Sequence, residues 1–106
     1  MTVAAGSYSH AEGSFNIAKG NGSHAEGGFN IAEGIRSHAE GYYTVAKAAS
    51  SHAEGARSLA SGDASHAEGH GTVASGDYSH AEGSGIYNIY LTGSNSTYQI
   101  SYGSNV

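Results

Sequence analysis

The chain has 106 residues, room for one domain of ordinary size, yet Leu, Ile, Val and Phe number only 14 while Gly and Ala contribute 17 each, which excludes a helical or α/β domain built on large side chains. A net charge of −5 with 12% charged residues is too small for a charge-driven disordered chain, and four basic against nine acidic residues argue against nucleic acid or an anionic membrane as partner. The absence of cysteine excludes a disulfide framework, a thiol nucleophile and a thiolate metal site, and no apolar run is long enough for membrane insertion.

The first unit opens at Thr2-Val3-Ala4-Ala5-Gly6, in mid-coil, as expected of a fragment. Its aliphatic residue recurs every fourteen positions as Val3, Ile17, Ile31, Val45, Leu59 and Val73, each followed by Ala. Gly stands three places after the aliphatic at Gly6, Gly20, Gly34, Gly62 and Gly76, and only Ala48 breaks the rule. Between these units the pentapeptide Ser-His-Ala-Glu-Gly begins at Ser9, Ser23, Ser37, Ser51, Ser65 and Ser79, again without insertion. Self-similarity at a fixed period is the mark of a solenoid whose repeats contact their neighbours.

A helical solenoid fails, because a glycine in every heptad costs about 1 kcal/mol relative to alanine. Seven residues suit a strand of four or five plus a tight turn at glycine. Fourteen then make one coil with two short strands, stacked at roughly 4.8 Å on the next. The expected fold class is all-β, a parallel β-roll of about six coils over residues 1–86. Residues 87–106 read as a Tyr-rich hairpin, a cap or the start of a further module. Its strands run from Ile86 to Leu91 and from Thr97 to Tyr102, around Gly93-Ser94-Asn95-Ser96. Tyr87 occupies a position where the register calls for an aliphatic residue.

Strand alternation assigns the faces. Ser, Ala and Gly of the pentapeptide share one side, as do Thr or Asn, Ala and Gly of the sister unit. That small-residue side must face inward. The aliphatic ladder then points outward, extended by Phe15, Phe29 and Tyr43 at the same period. A continuous apolar stripe on a 10.7 kDa chain calls for a partner surface. Val3, Ile17, Ile31, Val45, Leu59, Val73, Phe15, Phe29 and Tyr43 are therefore the expected oligomer interface.

His and Glu share the opposite outer face. His10, His24, His38, His52, His66 and His80 stack beside Glu12, Glu26, Glu40, Glu54, Glu68 and Glu82. The plain expectation is a structural hydrogen-bonded ladder, with no resident metal or other cofactor. The sharper alternative is a divalent-metal site, since imidazole and carboxylate are ligand types. A pH-responsive assembly is a further possibility, because protonating all seven histidines moves the net charge from −5 to +2. Ser, His and Glu are also the residue types of a hydrolytic triad, but adjacent Ser and His point to opposite faces and no enzymatic activity is expected. The run Gly69-His70-Gly71-Thr72-Val73-Ala74 matches a dinucleotide fingerprint in letters only, as no helix follows.

The aliphatic-Ala-x-Gly unit at fourteen-residue spacing resembles the head repeats of trimeric autotransporter adhesins. The Ser-His-Ala-Glu-Gly form, with Ala-Ser-Gly-Asp between copies at Ala60 to Asp63 and Ala74 to Asp77, is more similar to repeats in tail-fibre or appendage proteins of phages and prophages. The resemblance covers residues 3–86. It implies a left-handed roll and a homotrimer with the rolls side by side around a threefold axis, at an extracellular or virion surface. The expected role is a structural and interaction module, a rigid spacer or receptor-contacting head of a phage-type fibre. Variable turn pairs such as Ser7-Tyr8, Ile35-Arg36 and Asp77-Tyr78 would meet a host-cell surface glycan or protein. The alternatives are the head of a bacterial adhesin binding matrix protein or glycan, and a self-assembling solenoid filament.

Overall fold

The computed structural model describes residues 1–90 and 97–101, with side chains placed through Gly85. In chain order the roll runs β1 (Val3–Ala4), β2 (His10–Ser14), β3 (Ile17–Ala18), β4 (His24–Gly28), β5 (Ile31–Ala32), β6 (His38–Tyr42), β7 (Val45–Ala46), β8 (His52–Ala56), β9 (Leu59–Ala60), β10 (His66–His70), β11 (Val73–Ala74) and β12 (His80–Ser84). The strands β13 (Ile86–Tyr90) and β14 (Thr97–Ser101) follow. Odd-numbered strands stack into one sheet, with β14 at its end, and the even-numbered strands β2 to β12 into a second. Pairing between coils is parallel and links each residue to its counterpart fourteen places on, as in Val3 with Ile17 and His10 with His24. The chain is thus an all-β parallel solenoid of about six turns, only 11 Å across its thinnest dimension.

The two strands of a coil are unequal, five residues against two, where the sequence predicts similar lengths. Left-handed backbone at two points per coil accounts for the difference. After each long strand the chain bends through one left-handed residue, Phe15, Phe29, Tyr43 and Arg57 with φ near +58° and then Gly71 and Gly85 with φ of 66° and 64°. The other bend is a four-residue turn in which the Gly6 carbonyl accepts from the Ser9 N–H at 3.2 Å and the Ser9 hydroxyl at 2.6 Å. Its third residue again has positive φ, as at Tyr8, Arg36, Ser50, Ala64 and Tyr78. Such residues leave the pleat, so little of the second half-unit remains for a strand.

The interior is made of small residues, as alternation predicts. Ala18, Ala25, Ala32, Ala39, Ala46, Ala53, Ala60, Ala67, Ala74 and Ala81 are fully buried. Each alanine methyl contributes only about 0.8 kcal/mol, so polar groups share the task. Buried Asn16 accepts from the Asn30 N–H at 2.9 Å and donates to the Glu12 and Gly27 carbonyls at 2.6 and 2.8 Å. Asn30 repeats the pattern, donating to Glu26 and Gly41 and accepting from Thr44. The amide side chains thus form a ladder that ties one coil to the next.

Ala48 marks a defect. At the equivalent Gly20 an added Cβ would lie 2.1 Å from the Gly34 carbonyl oxygen. The Gly34 N–H donates to the Ala46 carbonyl at 3.3 Å, whereas the corresponding bond from Ala48 to Ala60 is not formed. Gly34 and Ala48 are also more exposed than Gly20, Gly62 and Gly76. We expect Ala48→Gly to raise stability by about 1 kcal/mol, since relief of overpacking exceeds the backbone entropy that glycine adds to the unfolded chain. An increase in the urea midpoint checks this.

At the C-terminal end β13 pairs in parallel with β11, setting Tyr87 opposite Val73 and Asn88 opposite Ala74. This is the register in which the sequence places Tyr87. The strand then pairs antiparallel with β14, from Ile86 with Ser101 to Tyr90 with Thr97. The expected turn at Gly93 to Ser96, together with Leu91 and Tyr102, lies outside the described residues.

Candidate functional site

The outer face of the odd-strand sheet carries the apolar stripe. Ile17, Ile31, Val45, Leu59 and Val73 are half-buried along it, and Val3 is exposed. Phe15, Phe29 and Tyr43 stack beside them with ring centroids 5.0 and 4.9 Å apart and planes within 12°. All three have left-handed backbone, and their rings line a common space with the neighbouring aliphatics. The result is a shallow groove of about 250 Å³ lined by Phe15, Ile17, Phe29, Ile31, Tyr43 and Val45. Phe15 is 51% exposed and Tyr43 45%, so the largest apolar groups of the roll lie outside its alanine interior. The ladder ends where Arg57 sets its guanidinium 5.9 Å from the Tyr43 ring centre. Gly71 and Gly85 fill the next two positions of the repeat.

The opposite outer face carries the His–Glu ladder. From His24 to His80 the imidazoles lie nearly parallel, within 6° of one another, at centroid spacings of 4.6 to 4.9 Å. His10 alone is turned, by 62° to His24. Each Nε2 faces the carboxylate two residues on, at 2.6 Å for His10–Glu12, 2.9 Å for His38–Glu40 and 3.3 Å for His66–Glu68. In the C-terminal coils the carboxylate oxygen also reaches the imidazole of the next coil. Glu54 Oε1 lies 3.1 Å from His52 and 3.4 Å from His66, and Glu68 Oε1 lies 3.3 Å from His66 and 3.5 Å from His80. Nitrogen and oxygen therefore alternate along the roll axis.

Hydrogen-bond geometry is met at His10–Glu12 and His66–Glu54. The Nε2 atoms of His24, His38 and His52 are shielded from solvent and make no hydrogen bond, although Glu oxygens lie close. The expected hydrogen-bonded ladder is thus realised only in part: the rings stack in register, and that stacking aims several N–H···O vectors poorly.

Burial, followed by charge on the neighbouring His52, holds the His38 imidazole below its ordinary 6.5. Glu40 and Glu26 oppose this and His24 adds to it. A depressed histidine binds its proton more readily in the unfolded chain. Its contribution is therefore complete above pH 6.5 and is lost as pH falls through that value toward the folded one. We expect the His38 ring protons to titrate below 6.5 by NMR, and His38→Gln to reduce the fall in Tm between pH 7 and 5.5. An unchanged fall would place the acid sensitivity elsewhere.

The candidate triad is not assembled. Ser23, Ser37, Ser51, Ser65 and Ser79 point into the interior and are at most 3% exposed, while His and Glu lie outside. Where the serine hydroxyl bonds, its acceptor is a turn carbonyl, as for Ser37 to Gly34 and Ser51 to Ala48. In the Gly69 to Ala74 run, Gly69 sits within β10 and Gly71 in the bend before β11, with no helix. The asparagine ladder is the feature that pattern reasoning does not assign. Asn16 and Asn30 are legible as inward-facing, but the three bonds of the Asn16 amide and the four of the Asn30 amide emerge only when coils are stacked.

Comparison with protein-family models, with curated proteins and with solved structures finds no match to this chain. Among the described residues, no helix is long and apolar enough to cross a membrane.

Proposed function

We propose that this chain is a structural and interaction module, a left-handed β-roll segment of an extracellular fibre in which three copies lie side by side. The supporting observation is the inversion of the usual arrangement. Alanines fill the interior, and Phe15, Phe29, Tyr43 and the aliphatic ladder line an outer groove. A straight stripe parallel to the stacking axis suits copies associating in parallel, each coil level with its counterparts, in a closed ring. Threefold order and handedness come from the resemblance to adhesin heads and phage fibres, as does a place on a virion or cell surface. In this role the roll is a rigid spacer or a receptor-contacting head. Exposed turn residues such as Tyr8, Ile35 and Tyr78 are the positions that meet a host-surface glycan or protein.

The test is a charge placed in the stripe. Ile31→Lys with Phe29→Lys is expected to convert the assembly to single chains in sedimentation velocity, while the far-ultraviolet spectrum stays that of a β-roll. A variant of unchanged mass would remove the stripe from the interface.

A further inference from the structure

The His–Glu face lies across the roll from the apolar stripe, so what it does is independent of how the chains associate. Five groups of two imidazoles and a carboxylate recur along it, His10–Glu12–His24 through His66–Glu68–His80, with donor atoms all within 4.8 Å of one another in each. In a tetrahedral zinc site, bonds of about 2.0 to 2.2 Å put neighbouring donors roughly 3.3 Å apart. In the C-terminal groups the imidazole–carboxylate distances already match that spacing, while the two imidazole nitrogens, on rings stacked 4.7 and 4.9 Å apart, must tilt toward each other to share an ion. Nε2···Oε1 is 3.1 and 3.4 Å around Glu54, and 3.3 and 3.5 Å around Glu68.

A second observation points the same way. Nε2 of His24, His38 and His52 is shielded from solvent and lies 2.8 to 3.1 Å from a glutamate oxygen without meeting hydrogen-bond geometry. A shielded nitrogen without a bond is costly, and a bound cation is one of the few ways to satisfy it. Six carboxylates held in register also repel each other, and a divalent ion would offset that. We propose that the ladder is a linear array of binding sites for divalent transition ions, each ion held by Nε2 of two successive coils and the glutamate oxygen between them. Imidazole ligands favour zinc, nickel, cobalt or copper over calcium or magnesium. The fourth position is open to water.

The geometry limits the stoichiometry. A neutral imidazole offers one lone pair at Nε2, so a histidine serves one ion and each ion uses two. Six ladder histidines hold at most three ions, in alternate intervals about 9.5 Å apart, two strand spacings. That separation also limits repulsion between the ions.

The decisive comparison is between two triple variants of equal histidine content. His24→Gln, His52→Gln and His80→Gln together leave no two ladder histidines on successive coils. His10→Gln, His24→Gln and His38→Gln together leave His52, His66 and His80 adjacent. Zinc chloride titrated into each at pH 7.5, by calorimetry and equilibrium dialysis, is expected to show up to three ions per wild-type chain. The adjacent variant should keep one ion, and the alternating variant should bind at least tenfold more weakly. The wild-type Tm should rise with zinc and return with chelator. Equal affinity in the two variants, uptake of six ions by the wild type, or no uptake up to about 1 mM zinc would overturn the proposal. The wild-type stoichiometry decides the matter even if a variant fails to fold.

Discussion

Gly55→Ala is expected to cost more than about 4 kcal/mol and to leave the chain largely unfolded at room temperature. The new Cβ would lie 2.1 Å from the Gly69 carbonyl oxygen and 2.9 Å from the Gly69 nitrogen. Both are backbone atoms of the next coil, so no side chain can move aside. The backbone φ of +98° adds a conformational penalty for any L side chain. To relieve the contact, β8 and β10 would have to separate, breaking the ladder on which both neighbouring coils rest. Gly71→Ala is the matched control. It also has positive φ, +66°, but a Cβ there meets nothing within 4 Å. It should cost only about 1 to 2 kcal/mol. Urea unfolding at one fixed chain concentration compares the two, and similar midpoints would contradict the close stacking of the coils.

Asn30→Ala carries the second large effect, about 4 kcal/mol. Removing the amide takes the side-chain donor from the Glu26 and Gly41 carbonyls, at 2.6 and 2.8 Å, and the acceptor from the Thr44 N–H, at 2.8 Å, while the Thr44 hydroxyl keeps only the Glu40 carbonyl at 3.2 Å. Each buried group stranded this way costs about 1 to 3 kcal/mol, in part recovered by relaxation. Asn30→Thr should cost about half as much, because Thr44 fills the same repeat position and its hydroxyl reaches both Asn30 and the Glu40 carbonyl. A loss under about 1 kcal/mol for the alanine variant would mean that the polar ladder does not hold the coils together.

Much of this architecture is legible in the sequence because the repeat has no insertions. The period fixes the register, and alternation then places Ala25 and Ala39 inside and His24 and Glu26 outside. Even the departure at Tyr87 is readable, since it falls opposite Val73 as the count requires. The unequal strands are not legible. They depend on left-handed backbone at Phe15, Phe29, Tyr43 and Arg57, residue types that do not favour it. The available signal is indirect, in the glycines at 71 and 85 that occupy the same repeat position. The offset that sets Glu54 and Glu68 between two imidazoles is likewise absent from the letters. Pattern puts His and Glu on one face, and only the placement of side chains across successive coils brings the Glu54 and Glu68 oxygens near two nitrogens each.

The His–Glu ladder and the apolar stripe stand on opposite faces of a thin roll, which separates their roles physically. One face is ordered by stacked rings and alternating nitrogen and oxygen atoms. The other gathers the apolar surface that an alanine interior has no room to bury. An isolated roll would leave Phe15, Phe29 and Tyr43 in water, at a cost proportional to the area exposed.

Solution mass by light scattering on the wild-type chain, over a range of concentrations, tests that reasoning most directly. The account predicts a closed species of three chains, about 32 kDa from the 10.7 kDa chain, stable on dilution. A 10.7 kDa monomer at every concentration would contradict it, showing that the stripe is tolerated in water and that the roll stands alone.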